Sequence, residues 1–212
     1  MRVFICGQRS FGAEVLKRLH DDGHEITGVA VSPQGVKKDK MVGQALLRGI
    51  KVAGDCERFT AEDVPDGTQL IVSAHSHWMV SKKAIQRCEY GGIGYHPSLL
   101  PRHRGQDAVR WTVHMHDYVT GGTVYRLDDV CDGGGILLQR PMWVDPSWDY
   151  HELWRHLFPQ GVEMLSEAVK LLESNRYEFT EQDERFATWE PSWDRPRLKR
   201  NDLPQIGSGG YV

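Results

Sequence analysis

The sequence predicts an α/β protein built on a mostly parallel, twisted sheet with helices on both faces and an added antiparallel hairpin. Three observations predict it. Short apolar runs rich in β-branched residues alternate with segments of helical spacing over the first hundred residues. Glycine or a polar breaker separates most of these segments, as turns between strands and crossover helices require. Further along, two strand patterns are joined only by a short glycine-rich turn, the mark of a hairpin. With 40% hydrophobic and 26% charged residues, the 212-residue chain can bury one such core.

Taken in order, "RVFIC" (2–6) is a continuous apolar strand ending at Gly7, and "GAEVLKRLHDDG" (12–23) sets Val15, Leu16 and Leu19 at helical spacing before Gly23 stops it. "HEITGVAVS" (24–32) is a second strand, "PQGVKKDK" (33–40) a polar breaker, "MVGQALLRGI" (41–50) a short helix and "IKVAG" (50–54) a brief third strand. "QLIVSAH" (69–75) is a buried strand, "SKKAIQRC" (81–88) a helix and "GGIGYH" (91–96) another strand. "RGQDAVRWTVHMHD" (104–117) reads as a helix, and "GGTVYRLDD" (121–129) with "GILLQRPMWV" (135–144) as the hairpin. Residues 147–175 are helical, with Pro159 expected to break them into two helices, the second presenting Val162, Leu165, Val169 and Leu172 on one face. Pro191, Pro196, Pro204 and the end "GSGGYV" predict an irregular tail. The organisation expected is one domain over 1–175 with the tail, 176–212, packed on it.

Several function classes drop out. A formal charge of −3 provides no basic field for nonspecific nucleic-acid binding. "MRVFICG" opens as a strand rather than a secretory signal, and no apolar run approaches the roughly 20 residues of a membrane helix. Cys6, Cys56, Cys88 and Cys131 are scattered without a CxxC pair, which fits a reduced cytoplasmic protein.

In an open α/β sheet, ligands sit beyond the carboxyl ends of the strands. "GQRSFG" (7–12) lies at such an end and opens a helix, where backbone amides could hold a phosphate or carboxylate, with Arg9 and Ser10 as contacts. A plain strand-to-helix turn is the competing reading. In "SAHSHW", His75 and His77 share one face of an extended segment, a minimal metal-ligand spacing, but nothing supplies a third ligand and no metal is expected. "YHPSLLPRHRG" ends a strand at His96, which Pro97 holds extended, while Pro101 stiffens the loop beyond. Asp132, in the glycine-rich turn "VCDGG", is a carboxylate able to orient an imidazole or raise its basicity. Against this pair stands the reading of a surface histidine and a turn aspartate.

Together, "HPSLLPRHRG" and "TGGTVYRLDDVCDGGGILLQ" resemble the signature of the folate-dependent formyltransferase family, which embraces glycinamide ribonucleotide, methionyl-tRNA and amino-sugar formyltransferases and the hydrolase domain of 10-formyltetrahydrofolate dehydrogenase. "IGYHPSLLPRHRG", Trp111, "LFPQGVEMLSEAV" and the tail segment "FATWEPSWDRP" are most similar to that hydrolase domain. The resemblance covers most of residues 1–175 and implies a Rossmann-like core. It implies 10-formyltetrahydrofolate as formyl donor, a small-molecule amine on a sugar or nucleotide as acceptor, and His96 and Asp132 as the catalytic pair with Thr123 as a supporting hydrogen-bond donor. The folate would lie against Ser73, His75, Trp78, Met79 and Val80 and the turn Val130, Cys131 and Gly133. The acceptor, and any phosphate it carries, would meet Gly7, Arg9, Ser10, Phe11, Gly12, Arg104 and Gly105.

Two positions depart from the family pattern. Gly94 stands where transferases place an asparagine two residues before the histidine, and Tyr125 stands where many members have histidine. The first departure is shared in kind by the hydrolase domain, so release of formate to water is the alternative reaction, and a noncatalytic folate or nucleotide binding module the second. The roughly 35 residues of the tail are too few for the separate domain of tRNA-binding members, so neither a tRNA acceptor nor the full nicotinamide-dependent dehydrogenase reaction is expected of these residues. A homodimer is compatible with all three.

Overall fold

The computed structural model describes residues 1–31, 39–53, 60–76 and 79–193. Its elements are β1 (Arg2–Gly7), α1 (Arg9–Asp21), β2 (Glu25–Ala30), α2 (Lys40–Leu47), β3 (Val52–Ala53), β4 (Leu70–Ala74), α3 (Lys82–Gln86), β5 (Gly92–His96), α4 (Ala108–His114), β6 (Val119–Arg126), β7 (Ile136–Trp143) and α5 (Tyr150–Glu173). The strands form one seven-stranded sheet in the order β3-β2-β1-β4-β5-β6-β7. Pairing is parallel from β3 to β5 and antiparallel from β5 to β7. This is the expected doubly wound sheet with its hairpin, β6–β7, on one edge.

Apolar strand residues feed a core on each face of the sheet. On one face Val3, Ile5, Leu70, Val72 and Ile93 pack beneath Leu16 and Leu19 of α1, Met41 of α2, and Leu165 and Val169 of α5. On the other, Phe4, Cys6 and Ile71 pack with Val80, Ala84 and Cys88. Close approach at the first turn needs glycine. A Cβ on Gly7 would run into the Ala74 carbonyl, and one on Gly12 would lie 2.6 Å from Met41 Sδ.

Three local expectations are corrected. α1 begins at Arg9, so most of "GQRSFG" is the first helical turn and not a loop. α4 is confined to Ala108–His114, preceded by Asp107 at φ 63°, a left-handed conformation that cannot continue a helix toward Arg104. And α5 runs unbroken through Pro159. The carbonyl that proline leaves without its helical partner belongs to Arg155, whose side chain lies on the exposed side of the helix. Meanwhile the buried face, from Leu153 and Leu157 to Met164, Leu165, Ala168 and Leu172, continues across the interruption. Tertiary burial outweighs the local propensity.

The described part of the tail is irregular but tied down at many points, forming a strap. Thr180 bridges to Ile136 of β7, Thr188 N donates to the Pro101 carbonyl at 3.1 Å, and Arg104 N donates to the Thr188 carbonyl at 3.0 Å. Trp111 Nε1 donates to the Pro191 carbonyl at 2.9 Å. Among the described residues, no helix is long and apolar enough to cross a membrane.

Candidate active site

The carboxyl ends of β1, β4 and β5 open on one side of the sheet, and backbone strain gathers there. Arg9, His75, His103, Asp107 and Asp132 all hold positive φ, between 53° and 63°. Left-handed backbone costs a non-glycine residue about 1–3 kcal/mol and persists where surrounding contacts over-determine it, a pattern concentrated at functional sites.

His96, the last residue of β5, and Asp132, in the β6–β7 turn, meet in this region. The ring Nδ1 lies 3.5 Å from Asp132 Oδ2, and both side chains are largely buried. Nε2 lies 2.6 Å from the backbone carbonyl of His103, so that nitrogen carries a proton and donates it. Nδ1 is therefore the nitrogen left to gain and lose a proton, facing a carboxylate as it does so. Asp132 is held on both oxygens. Tyr125 Oη donates to Oδ1 at 2.6 Å, while Gly105 N donates to Oδ2 at 2.8 Å and the Cys131 thiol to Oδ2 at 3.4 Å. Burial alone would push this carboxyl up. The His96 ring, the Tyr125 hydroxyl and the Gly105 amide more than offset that and hold it below the usual carboxylate range. The Cys131 thiol, desolvated and beside the Asp132 charge, is pushed up to about 12 and is not a ready nucleophile.

The loop after His96 is braced from beneath. Thr123, paired with His96 across the β5–β6 ladder, donates from Oγ1 to the Ser98 carbonyl at 2.6 Å and accepts from Leu100 N and Gln139 Nε2 at 3.2 and 3.0 Å. Its hydroxyl is thus committed to the loop that follows His96 and makes no bond to the His96 or Asp132 side chains, so the support expected of it goes to the loop. Arg104 is a correction. It is 1% exposed, with its guanidinium on Gln182 Oε1 at 2.7 Å and both oxygens of Glu184 at 2.7 and 3.0 Å, so it is not available to an acceptor. Gly105 holds Asp132 through its amide rather than lining an acceptor subsite. Gln182 also donates to the carbonyls of Asp132 and Gly134 at 2.8 and 2.7 Å, clamping the carboxylate's turn to the strap. Neither Gln182 nor Glu184 had any sequence signal of its own.

Of the expected folate contacts, Met79 and Val130 are exposed apolar side chains, 58% and 51% accessible. A Lys82–Asp129 ion pair at 3.0 Å joins the segment after β4 to the turn that carries Val130, Cys131 and Gly133. The Val80 side chain turns into the core, leaving only its backbone for a ligand, and Ser73 is partly covered between Cys6 and Gly94. Trp78 and His77 lie outside the described residues. His75 faces the other side: its ring is 6.3 Å from that of Trp154, and its charged neighbours are Arg9, Asp39 and Asp107.

That other side is the amino end of α1. Arg9 is exposed and Ser10 partly so, but Phe11 is a core residue packed on Tyr95, Trp154 and Phe158, and Gly7 and Gly12 serve close packing. Those three leave the expected acceptor set. The amide of Arg9 already has an anion, because it donates at 2.7 Å to Asp39 Oδ2 while Asp39 Oδ1 caps α2 through Met41 N at 2.8 Å. One carboxylate thus serves two helix starts.

Mitochondrial 10-formyltetrahydrofolate dehydrogenase of Mus musculus is 34% identical, over 92% of this chain and 23% of its own length. A methionyl-tRNA formyltransferase of Acidobacterium capsulatum is 30% identical, over 90% of this chain and 65% of its own. The chain therefore spans roughly a quarter of the dehydrogenases it matches. In fold it resembles an N-formyltransferase of Helicobacter canadensis, solved with folinic acid and dTDP-3-aminofucose, with TM-score 0.74 and 16% identity over 95% of this chain and 72% of that one. It equally resembles glycinamide ribonucleotide transformylase 1 of Symbiobacterium toebii, with TM-score 0.74 and 19% identity over 86% and 94%. The profile of the Formyl transferase family matches residues 62–169, half of the chain and the part that carries both His96 and Asp132. This chain belongs to the Formyl transferase family.

Proposed function

We propose that this domain moves the formyl group of 10-formyltetrahydrofolate to a small-molecule amine, with His96 and Asp132 as the reacting pair. The observation that supports it is the buried imidazole whose one free nitrogen faces a fixed carboxylate at 3.5 Å. The amine lone pair forms a bond to the formyl carbon, and the carbonyl pair moves onto oxygen, where the Nδ1 proton of His96 meets the growing charge. Asp132, through water, takes the proton that the amine sheds. The oxygen pair then restores the carbonyl as the bond to N10 breaks, and Asp132 passes the proton it took, through water, to N10 of the departing tetrahydrofolate. The exposed apolar side chains of Met79 and Val130 suit contact with a flat donor, and the folinic acid named in the Helicobacter structure supports that donor class. The aminofucose nucleotide named there supports an amine acceptor. Unpaired Cys6 and Cys88, buried in one cluster, support a reducing, cytoplasmic setting.

A second reading makes water the acceptor, with formate and tetrahydrofolate as products. It is favoured by Asp39, whose charge already occupies the Arg9 amide at the start of α1, where an acceptor's phosphate would bind, and by the similarity to the dehydrogenases. Incubation with 10-formyltetrahydrofolate, alone and with amino sugars and aminonucleotides, separates the two by mass spectrometry of formate and formylated amine. Turnover that requires an amine supports transfer. Equal formate release without one supports hydrolysis. A phosphorylated amine preferred a hundredfold over its unphosphorylated form would remove the second reading. Full turnover by His96→Ala would remove the catalytic pair.

A further inference from the structure

The two departures from the family pattern, Gly94 and Tyr125, face each other. The antiparallel β5–β6 register sets Gly94 opposite Tyr125, two pairs away from His96 opposite Thr123. A Cβ on Gly94 would lie 3.1 Å from both Cζ and Oη of Tyr125 and 3.0 Å from Leu127 Cδ2, tighter than ordinary contact. The phenol of Tyr125 therefore fills the room that the missing side chain leaves. From there its hydroxyl reaches Asp132 Oδ1 at 2.6 Å.

The two oxygens of Asp132 have different partners. Oδ1 has Tyr125, and Oδ2 has Gly105 N at 2.8 Å and His96 Nδ1 at 3.5 Å. A carboxylate held on one oxygen can still rotate about its Cβ–Cγ bond, whereas one held on both presents Oδ2 to His96 in a single orientation. Tyr125 is 8% exposed, and its hydroxyl stays protonated, because burial and then the Asp132 charge hold it well above the usual phenol value. It is a constant donor.

We propose that Tyr125 is a positioning residue for formyl transfer: occupying the space Gly94 leaves open, its hydroxyl fixes the Asp132 carboxylate toward His96. Gly94 and Tyr125 are then one feature, a glycine that makes room and a tyrosine that uses it. The proposal rests on the reaction proposed above only for its kinetic half, since the hold on Asp132 can be read without turnover.

The test compares wild type with Tyr125→Phe, which keeps the ring and removes the hydroxyl. Two quantities are measured: the pH dependence of 10-formyltetrahydrofolate consumption, and the titration of the Asp132 carboxyl by carbon-13 NMR. Losing a donor to the charged form raises a carboxyl pKa, and a hydrogen bond to a charged group corresponds to about one unit. In the variant, the Asp132 titration and the acid limb of kcat are both expected to move up by about one unit, with kcat down about tenfold and KM within about twofold. A ring that merely fills space would move neither titration nor acid limb, and that result overturns the proposal. A shifted Asp132 titration with unchanged kcat also overturns it. If wild type consumes no 10-formyltetrahydrofolate with or without an amine, the functional reading falls, while an unmoved NMR titration separately removes the hold of Tyr125. Gly94→Asn is expected to lose activity with Tyr125 in place and to recover part of it when Tyr125 is also changed to Ser. Equal loss in both backgrounds would deny that the positions are coupled.

Discussion

The parallel half of the sheet and the antiparallel half are held by different forces. In β1, β2 and β4 the buried side chains are apolar, among them Val3, Phe4, Ile5, Val29, Leu70, Ile71 and Val72. Between residues 96 and 132 the buried set includes His96, Ser98, His103, Arg104, Thr123 and Asp132, each with a polar partner. Apolar packing is non-directional and tolerates small shifts, whereas a satisfied polar network specifies orientation. The half that orients a proton is therefore the half built from hydrogen bonds, and the other half is its support.

Exchanging the two kinds of loss tests that division. Asp132→Asn should lower formyl transfer about a thousandfold, within the range general acid–base groups contribute, while the protein stays folded by circular dichroism. Leu70→Ala, a fully buried residue of β4, should do the reverse, costing about 2–5 kcal/mol in urea unfolding with little change in kcat for the molecules that remain folded. An activity loss as large as that of Asp132→Asn would dissolve the distinction. Arg104→Ala should affect both measurements, because it frees the strap and, next to it, the Gly105 amide. A loss of about 2–3 kcal/mol with a measurable drop in kcat is expected.

Acid should reach the polar half first. The folded pKa of Asp132 lies below its unfolded value, so its contribution to stability is present above the unfolded value and is lost as pH falls through the depressed one. Denaturant titrations should show a stability loss below about pH 4 that Asp132→Asn reduces. The smallest effect belongs to α5. Pro159→Ala restores a helical hydrogen bond to the Arg155 carbonyl and should raise stability by about 1–2 kcal/mol, leaving kcat unchanged.

The same division governs what could be read from the residues alone. Strands β1, β2, β4 and β5 announce themselves as apolar runs bounded by glycine, and the hairpin by its turn. His96 and Asp132 stand out through the motif around them. Arg104 was expected to meet an acceptor and instead holds the site's frame, and the support expected of Thr123 goes to the loop after His96. Both pairings were hidden because the partners are distant: Arg104 meets Gln182 across 78 positions, and Thr123 meets Ser98 across 25. Pairings of that kind leave no periodicity in a sequence. Asp39 reaches Arg9 across 30 positions and was equally invisible. Pro159 misled for the converse reason, since a local rule was overruled by burial on a face that only the assembled fold provides.

The strap also carries a consequence for synthesis. Gln182, which clamps the backbone of Asp132, is made 50 residues later. At about 5–20 residues per second, the turn of Asp132 exists on the ribosome for roughly 3–10 s before its clamp is made. A nascent chain can fold its parallel half during that interval, yet its reacting pair is not braced until translation has passed the last of these contacts.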